Sequence, residues 1–265
     1  MERRGTRIGL GIWALLVVLF LHVPIVIIVL YAFNASNVQG WPITDWSTKW
    51  FSPALHDGEM QQALFLSLKA AGLATAIALV LGSAAAFALY RARFFGRNAI
   101  SFLLVLPIAL PGIITGMALN SYFTYLGQQL GLLTIVVGHA TFCIVIVFNN
   151  VVARLRRVPT SLSEASMDLG ADPLQTFLYV SLPAISTALI SGALLAFALS
   201  FDEVIVTTFT AGVQNTLPIW IFGNIRLGQQ LPEVNVVVFV ILLLTIVPVT
   251  IAQRLTRESG ILRTE

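Results

Sequence analysis

Charge is scarce in this 265-residue chain: Asp, Glu, Lys and Arg together make up 10%, against about 25% in an ordinary soluble domain. So few charged side chains cannot coat a globule of this size, which excludes a water-soluble enzyme and a disordered regulator. Cysteine is scarcer still. The single one, Cys143, has no partner for an intrachain bridge, so a disulfide scaffold is excluded and Cys143 reads as a small apolar packing residue. Lysine occurs twice, at 49 and 69, and neither stands in a glycine-rich loop; the sequence has no G-x-x-x-x-G-K-[ST] phosphate loop. The chain is therefore not expected to carry out ATP chemistry itself. No His, Cys, Asp or Glu cluster has metal-ligand spacing, and neither G-x-S-x-G nor H-E-x-x-H is present.

What is abundant is apolar surface, 57% of residues. It is gathered into six runs: Ile8–Phe33, Ala63–Leu89, Ala99–Leu119, Leu132–Val152, Leu182–Phe201 and Val234–Ala252, in which Lys69 is the only charge. At about 1.5 Å per helical residue each can cross a hydrocarbon core of about 30 Å. Backbone polar groups in lipid must pair within their own segment, and the short alternating segments of a barrel are missing, so the runs are expected to be helices. The expected fold class is all-α, a polytopic membrane protein with six transmembrane helices. The first run is too long for a signal-peptide core and no A-x-A site follows it, so it is expected to be a retained helix, slightly bent at Pro24.

Twelve of the fifteen basic residues fall in four places: Arg3, Arg4 and Arg7; Arg91, Arg93 and Arg97; Arg154, Arg156 and Arg157; Arg254, Arg257 and Arg263. The positive-inside rule puts all four on the cytoplasmic side, with both termini. Val204–Phe222 is uncharged and long enough to cross. A seventh span would export the last three arginines, however, and Gln214, Asn215 and Pro218 interrupt it, so it reads as an external or re-entrant segment. Acids gather on the outer side at Asp45, Asp57, Glu59, Asp202, Glu203 and Glu233, where they favour cations over anions; depletion of bases outside accounts for the same bias. Lys69 is placed to snorkel towards that surface. Asp202 and Glu203 close the fifth span and are the only adjacent acids near bilayer depth. They read either as groups facing a cation path, with Tyr122, Tyr125 or Trp220 as cation–π partners, or as hydrated residues that end the span. His22 and His139 read as core histidines bonded to a neighbouring helix, and His56 as a solvated loop residue. Gly112-x-x-x-Gly116 and the small-residue stretch Ala70–Ala86 allow close helix contacts, and Pro107 and Pro111 either kink or break the third run.

The loop between the fourth and fifth runs, 154–183, carries the most local signal. Ser161 and Glu164 form an S-x-x-E pair, which predicts a helix from about Leu162; Gly170 suits the residue that stops it; Asp172-Pro173 opens a second helix leading to Leu182-Pro183. Leu162, Ala165 and Leu169, at spacings of three and four, make a compact apolar face flanked by Glu164 and Asp168. Such a helix either fits a groove on a cytoplasmic partner or is an interfacial loop helix with none.

Glu164-Ala165-Ser166, Gly170 and Leu182-Pro183 resemble the EAA loop of ABC importer permeases, with Ser166 in place of the second alanine and Val180 in place of an isoleucine. Further segments, among them Tyr31-Ala-Phe-Asn34, Lys49-Trp50-Phe51, Gly138-His139 and Ser200-Phe-Asp202-Glu203, look like the spermidine/putrescine branch. The resemblance implies a type I (MetI-like) bundle of six helices with a cytoplasmic coupling helix, in a bacterial inner membrane. It divides the chain into an N-terminal tip, first helix and periplasmic loop (1–61), an ABC transmembrane type-1 domain (62–253) and a cytoplasmic tail (254–265). ATPase coupling would fall to Leu162, Glu164, Ala165, Asp168, Leu169 and Gly170, and a substrate path to Asp202 and Glu203. Partners would be a homologous second permease, two ATPase subunits that hold the ATP and Mg, a periplasmic or lipid-anchored solute-binding protein and the bilayer; neither a cofactor in this chain nor nucleic acid is implied. Related bundles serve 4-aminobutyrate, thiamine, ferric ion and sulfate, and the acidic exterior disfavours sulfate. An ion-coupled secondary transporter and an intramembrane enzyme built on Asp202, Glu203 and His139 are the alternatives; the first lacks visible inverted repeats, and the second lacks a catalytic motif.

Overall fold

A computed structural model describes residues 4–91 and 95–261, in which every regular element is a helix. In chain order these are α1 (Arg4–Ala32), α2 (Phe51–His56), α3 (Gly58–Arg91), α4 (Arg97–Ala109), α5 (Gly112–Tyr125), α6 (Leu132–Leu155), α7 (Ser161–Asp168), α8 (Pro173–Thr176), a π turn (Phe177–Ser181), α9 (Leu182–Phe201), α10 (Ile205–Thr210), α11 (Leu217–Leu227) and α12 (Leu231–Ile261). Arg3, Arg93 and Arg263, and residues 262–265 of the expected tail, lie outside the described residues. Among the described residues four helical stretches are long and apolar enough to cross a membrane: Ile8–Ala32, Gly58–Tyr90, Leu132–Leu155 and Pro173–Phe201. The bent α4–α5 pair passes the same test when its two halves are taken together, and α12 opens with the apolar stretch Leu231–Ile246. The chain is thus an all-α polytopic membrane protein, consistent with six spans.

The third span is broken and not merely kinked. Its halves meet at 102° around Leu110-Pro111, where Leu110 is extended (φ −81°, ψ 141°). Proline disfavours the helical region for the residue before it and contributes no N–H, so the helix has to stop there and restart.

The chain divides into two compact units, residues 1–61 with 221–265, and residues 62–220. In the first, α1 lies along α12, and its side chains from Leu10 to Ile27 all face outward, as a lipid-solvated span requires. Pro24 sits inside α1 without interrupting it. After α1, Phe33, Phe51 and Phe239 form a tilted and edge-on trio with centroids 5.1–6.1 Å apart, and the Trp50 indole N–H donates to Asn34 O at 3.1 Å. Asp57 opens α3 by accepting from the Glu59 and Met60 amides at 2.7 and 3.0 Å, so this outer acid works as a helix cap. His56 ends α2, bonded to Ser52 O, and so sits on a helix and not in a loop. His22 is exposed and bonds to Val18 O one turn back in its own helix, so among the described residues it does not bridge helices as expected.

The second unit is built around α6, its most buried helix, with thirteen buried residues from Thr134 to Leu155. Ala78, Ala86 and Leu89 of α3, Phe142, Cys143, Val147, Phe148 and Val151 of α6, and Ile185 and Ala196 of α9 form one continuous core. The small-residue stretch of α3 is what admits α6. Ala70, Ala71, Ala74, Ala78 and Ala86 are buried, and a Cβ on Gly82 would stand 2.8 Å from Ile144 O, so the backbones meet directly. Lys69 is exposed, with its Nζ 4.2 Å over the Phe65 ring, one turn towards the N-terminal end of α3.

Val204–Phe222 is neither a seventh span nor an open loop. Two short helices, α10 and α11, occupy it, and Val206, Thr207, Thr210, Ala211, Thr216, Leu217 and Trp220 are buried. α10 packs on α5 and α6. Gly112 and Gly116 both face it: a Cβ on Gly116 would stand 2.6 Å from Phe209 Cδ2, and one on Gly112 would touch Ile205 at 3.4 Å. The glycine pair therefore does receive a close helix, and that helix is α10.

Candidate functional site: the 154–183 segment and the α9–α10 bend

The 154–183 segment folds as two capped helices. α7 starts at Ser161, one residue earlier than the S-x-x-E pair predicts, and that capping box does not form. Thr160, not Ser161, is the N-cap, in helical geometry (φ −64°, ψ −29°) with no side-chain cap bond. The turn begins at Pro159, whose carbonyl already accepts from the Leu162 N–H. Ser161 is thus inside the helix and lacks the extended backbone that lets a side chain cap. The stop signal does behave as expected. Gly170 has φ +93°; its N–H donates to Met167 O at 2.9 Å, and the Ala171 N–H donates to Ser166 O at 3.1 Å. This pair of bonds is a Schellman motif, and it needs the left-handed residue that glycine supplies. Asp172 then caps α8 reciprocally: its Oδ1 accepts from the Gln175 N–H at 2.8 Å and Gln175 Oε1 accepts from the Asp172 N–H at 3.0 Å, with Pro173 as first helical residue.

Leu162, Glu164, Ala165, Asp168, Leu169 and Gly170 are all exposed, Leu169 by 90%, and α7 buries no residue of its own. α7 is held by the side next to its apolar face. Ser166 Oγ lies 3.1 Å from Thr176 Oγ1, and Thr176 is buried, so the serine that departs from the EAA pattern has a polar partner. From α8 the chain continues without a break into α9 through the π turn, whose defining bond runs from the Leu182 N–H to Phe177 O. Pro183 explains the wide turn: it has no N–H to give to the fourth residue back, and its ring crowds that carbonyl. Phe177 packs edge-on against Phe87 of α3 at 5.2 Å. Beside it an apolar groove of about 430 Å³ is lined by Val80, Ala84, Phe87, Leu182 and Ile185.

α6 and α9 run side by side, tied at three levels. Near the coupling segment the Arg154 guanidinium donates from Nε to Ala184 O at 2.9 Å. Midway, the buried Cys143 thiol meets Ala196 O at 3.3 Å, so this cysteine packs as expected. At the far end His139 Nδ1 lies 2.7 Å from Ser200 Oγ and Nε2 lies 2.8 Å from Thr207 Oγ1. His139 is 1% exposed and joins α6 to both α9 and α10. It is the core histidine the sequence suggested, and its partners were missed because they are 61 and 68 residues away.

α9 ends at Asp202, its C-cap, and α10 begins three residues later. The two adjacent acids differ in what they do. Asp202 is exposed. Glu203 is half-buried and turned back on the chain: its Oε1 accepts from the Val206 N–H at 2.9 Å, and its carbonyl accepts from the Thr207 hydroxyl at 2.6 Å. A carboxylate at the first turn of a helix suits the helix dipole. The far end of α10 is held as firmly, because Asn120 Nδ2 donates to Phe209 O at 2.7 Å and Thr134 Oγ1 donates to Thr210 O at 2.6 Å. Of the aromatic candidates, Tyr122 and Tyr125 are exposed and Trp220 is buried. Among the described residues no group of three or more His, Cys, Asp or Glu is placed to hold a metal ion.

Comparison with known proteins agrees with this arrangement. Residues 78–257 match the family described as binding-protein-dependent transport system inner membrane component. The chain is 39% identical over 243 residues to the putrescine transport system permease protein PotI of Escherichia coli (strain K12), covering 87% of this chain and 85% of that one. It is 34% identical over 245 residues to the spermidine/putrescine transport system permease protein PotC of the same strain, covering 91% and 90%. Among solved structures, a chain of a bacterial ABC transporter involved in the import of the acidic polysaccharide alginate superposes with a TM-score of 0.70 at 19% identity, over 97% of this chain and 98% of that one. A chain of the MetNI methionine ABC transporter, in inward-facing conformations, gives 0.63 at 19% identity over 76% and 95%. The match over residues 78–257 and these sequence identities place the chain in the family of inner membrane components of binding-protein-dependent transport systems.

Proposed function

We propose that this chain is one of two permease subunits of an ATP-driven importer for putrescine, spermidine or a related amine, and that it converts a push at α7 into opening and closing of a path through the bilayer. The observation that carries this reading is mechanical continuity. An exposed helix with one small apolar face, fixed at Gly170 by its backbone, is joined through α8 and the π turn to α9, whose other end carries Asp202 and Glu203. Leu162, Ala165 and Leu169 would seat in the ATPase, with Glu164 and Asp168 at the rim of that contact. Asp202 and Glu203 would face the passing ammonium groups. The partners are a homologous second permease, two ATPase subunits that bind ATP and Mg, and an external solute-binding protein; the basic clusters favour cytoplasmic termini. The names of the PotI and PotC relatives support an amine cargo, and an acidic outer side is compatible with one.

The test is reconstitution of the complete complex in proteoliposomes with labelled putrescine and spermidine. Uptake is expected to require ATP, and Leu169→Glu is expected to release the ATPase subunits while the permease pair stays assembled, because Leu169 is exposed and supports no core contact. Neutralising both acids, Asp202→Asn with Glu203→Gln, is expected to raise the KM for putrescine by about tenfold at unchanged assembly. Uptake that proceeds without any ATPase would point to a secondary transporter instead.

A further inference from the structure

The α9–α10 bend contains a buried hydrogen-bond chain whose direction can be read from its donors. The Thr207 hydroxyl donates to Glu203 O at 2.6 Å and so spends its only proton. Towards His139 Nε2, at 2.8 Å, it can then only accept, so Nε2 carries the ring proton. In the neutral ring Nδ1 is an acceptor, and Ser200 Oγ, 2.7 Å away, donates to it. The chain therefore runs from Ser200 in the last turn of α9, through His139 on α6, to Thr207 in the first turn of α10, and ends on the backbone carbonyl of Glu203. Ser200, His139 and Thr207 are each at most 3% exposed, so water does not stand in for a lost member.

Resting on the reading of Asp202 and Glu203 as path acids, we propose that His139 is a positioning residue for the cationic substrate: by bridging Ser200 and Thr207 it fixes the bend and with it the Glu203 carboxylate. Three features set this role apart from generic packing. The histidine bonds both sides of one bend, so it constrains the angle at Asp202–Glu203 and not only the α6–α9 distance. Cys143 and Arg154 already tie α6 to α9 elsewhere. The chain also ends on the residue whose own carboxylate starts α10 through the Val206 N–H, so a shift in Thr207 moves both the carbonyl and the carboxylate of Glu203.

The experiment uses the complete reconstituted complex, with labelled putrescine as probe, and compares KM with maximal rate. His139→Leu is expected to raise the KM for putrescine about fivefold to tenfold, with maximal rate and ATPase activity without substrate within about twofold. His139→Gln, which keeps a donor and an acceptor, is expected to recover most of the loss. Thr207→Val, which breaks the chain without emptying the site, is expected to reproduce the KM effect even if His139→Leu assembles poorly. In a background already carrying Asp202→Asn and Glu203→Gln, His139→Leu is expected to change KM no further. An unchanged KM in His139→Leu or Thr207→Val, a Gln variant as impaired as Leu, or a full additional effect in the neutralised background each overturns the positioning role. If neutralising the two acids leaves KM unchanged, the path reading itself fails, and that outcome is visible independently of any His139 variant.

Discussion

The two ends of α9 are built from opposite materials. Towards the 154–183 segment, α7 is exposed and its shape is set by local bonds: Gly170 closes α7 through its own backbone, and Asp172 and Gln175 cap each other across three residues. At the α9–α10 bend Asp202 is exposed, but Ser200, Thr207 and Thr210 are buried, and the bonds are long-range: His139 to Ser200 and Thr207, Thr134 to Thr210, Asn120 to Phe209. For the docking proposed above, a bare surface fixed in shape by its own chain is suited, because a preorganised surface incurs little ordering cost on binding. The buried hydroxyls and imidazole at the bend have to find their partners within the protein. The first arrangement is expected to fail by losing a partner, the second by losing the position of a side chain.

The sharpest way to break this comparison is at Gly116. Even a Cβ there would stand 2.6 Å from Phe209 Cδ2, and Phe209 cannot simply withdraw because its carbonyl is held by Asn120. Gly116→Val is therefore expected to displace α10, to cost about 1–3 kcal/mol by overpacking, and to lower the thermal midpoint of the purified complex together with putrescine uptake. The ATPase subunits are expected to stay bound. Loss of the ATPase from this variant would show that the two ends of α9 are not separable.

Gly170→Val is the matching change at the other end, with a smaller effect on stability. Nothing lies within 4 Å of a Cβ there, so the penalty is purely that of holding a β-branched residue at φ +93°, about 1–2 kcal/mol. The chain has room to relax, and the expected result is a reshaped α7 end: weaker co-purification of the ATPase and slower ATP-dependent uptake, at an unaltered KM for putrescine. A KM change as large as that of the neutralised acids would contradict the division of labour.

The same contrast decides what the sequence discloses. The spans are legible because lipid imposes length and apolarity on each run separately. Gly170 and Asp172-Pro173 are legible because helix stops and starts are written within a few residues. The Ser161–Glu164 pair has the right spacing and still fails, since Pro159 begins the turn early and leaves Ser161 inside the helix. At the outer end the residue types were visible and the partners were not. Gly112 and Gly116 announce a close approach without saying that α10 makes it, and nothing local to His139 points to Ser200 or Thr207.

The smallest expected effect comes from Ser166, the position where this chain departs from the EAA pattern. Its hydroxyl faces that of Thr176 at 3.1 Å, and Thr176 is 3% exposed, so Ser166→Ala leaves a buried hydroxyl short of one partner. A loss of about 1 kcal/mol or less is expected, seen as a slight drop in thermal midpoint with nearly unchanged uptake. Adding Thr176→Val removes the stranded hydroxyl and is expected to restore the midpoint, because replacing both partners by apolar groups is close to neutral. The pair acts as a clasp between α7 and α8, and the double variant would have an apolar clasp in its place. If Ser166→Ala instead abolishes ATPase binding while the midpoint holds, the serine belongs to the docking face after all, and the polar inner side of α7 would have to be redrawn as part of the partner contact.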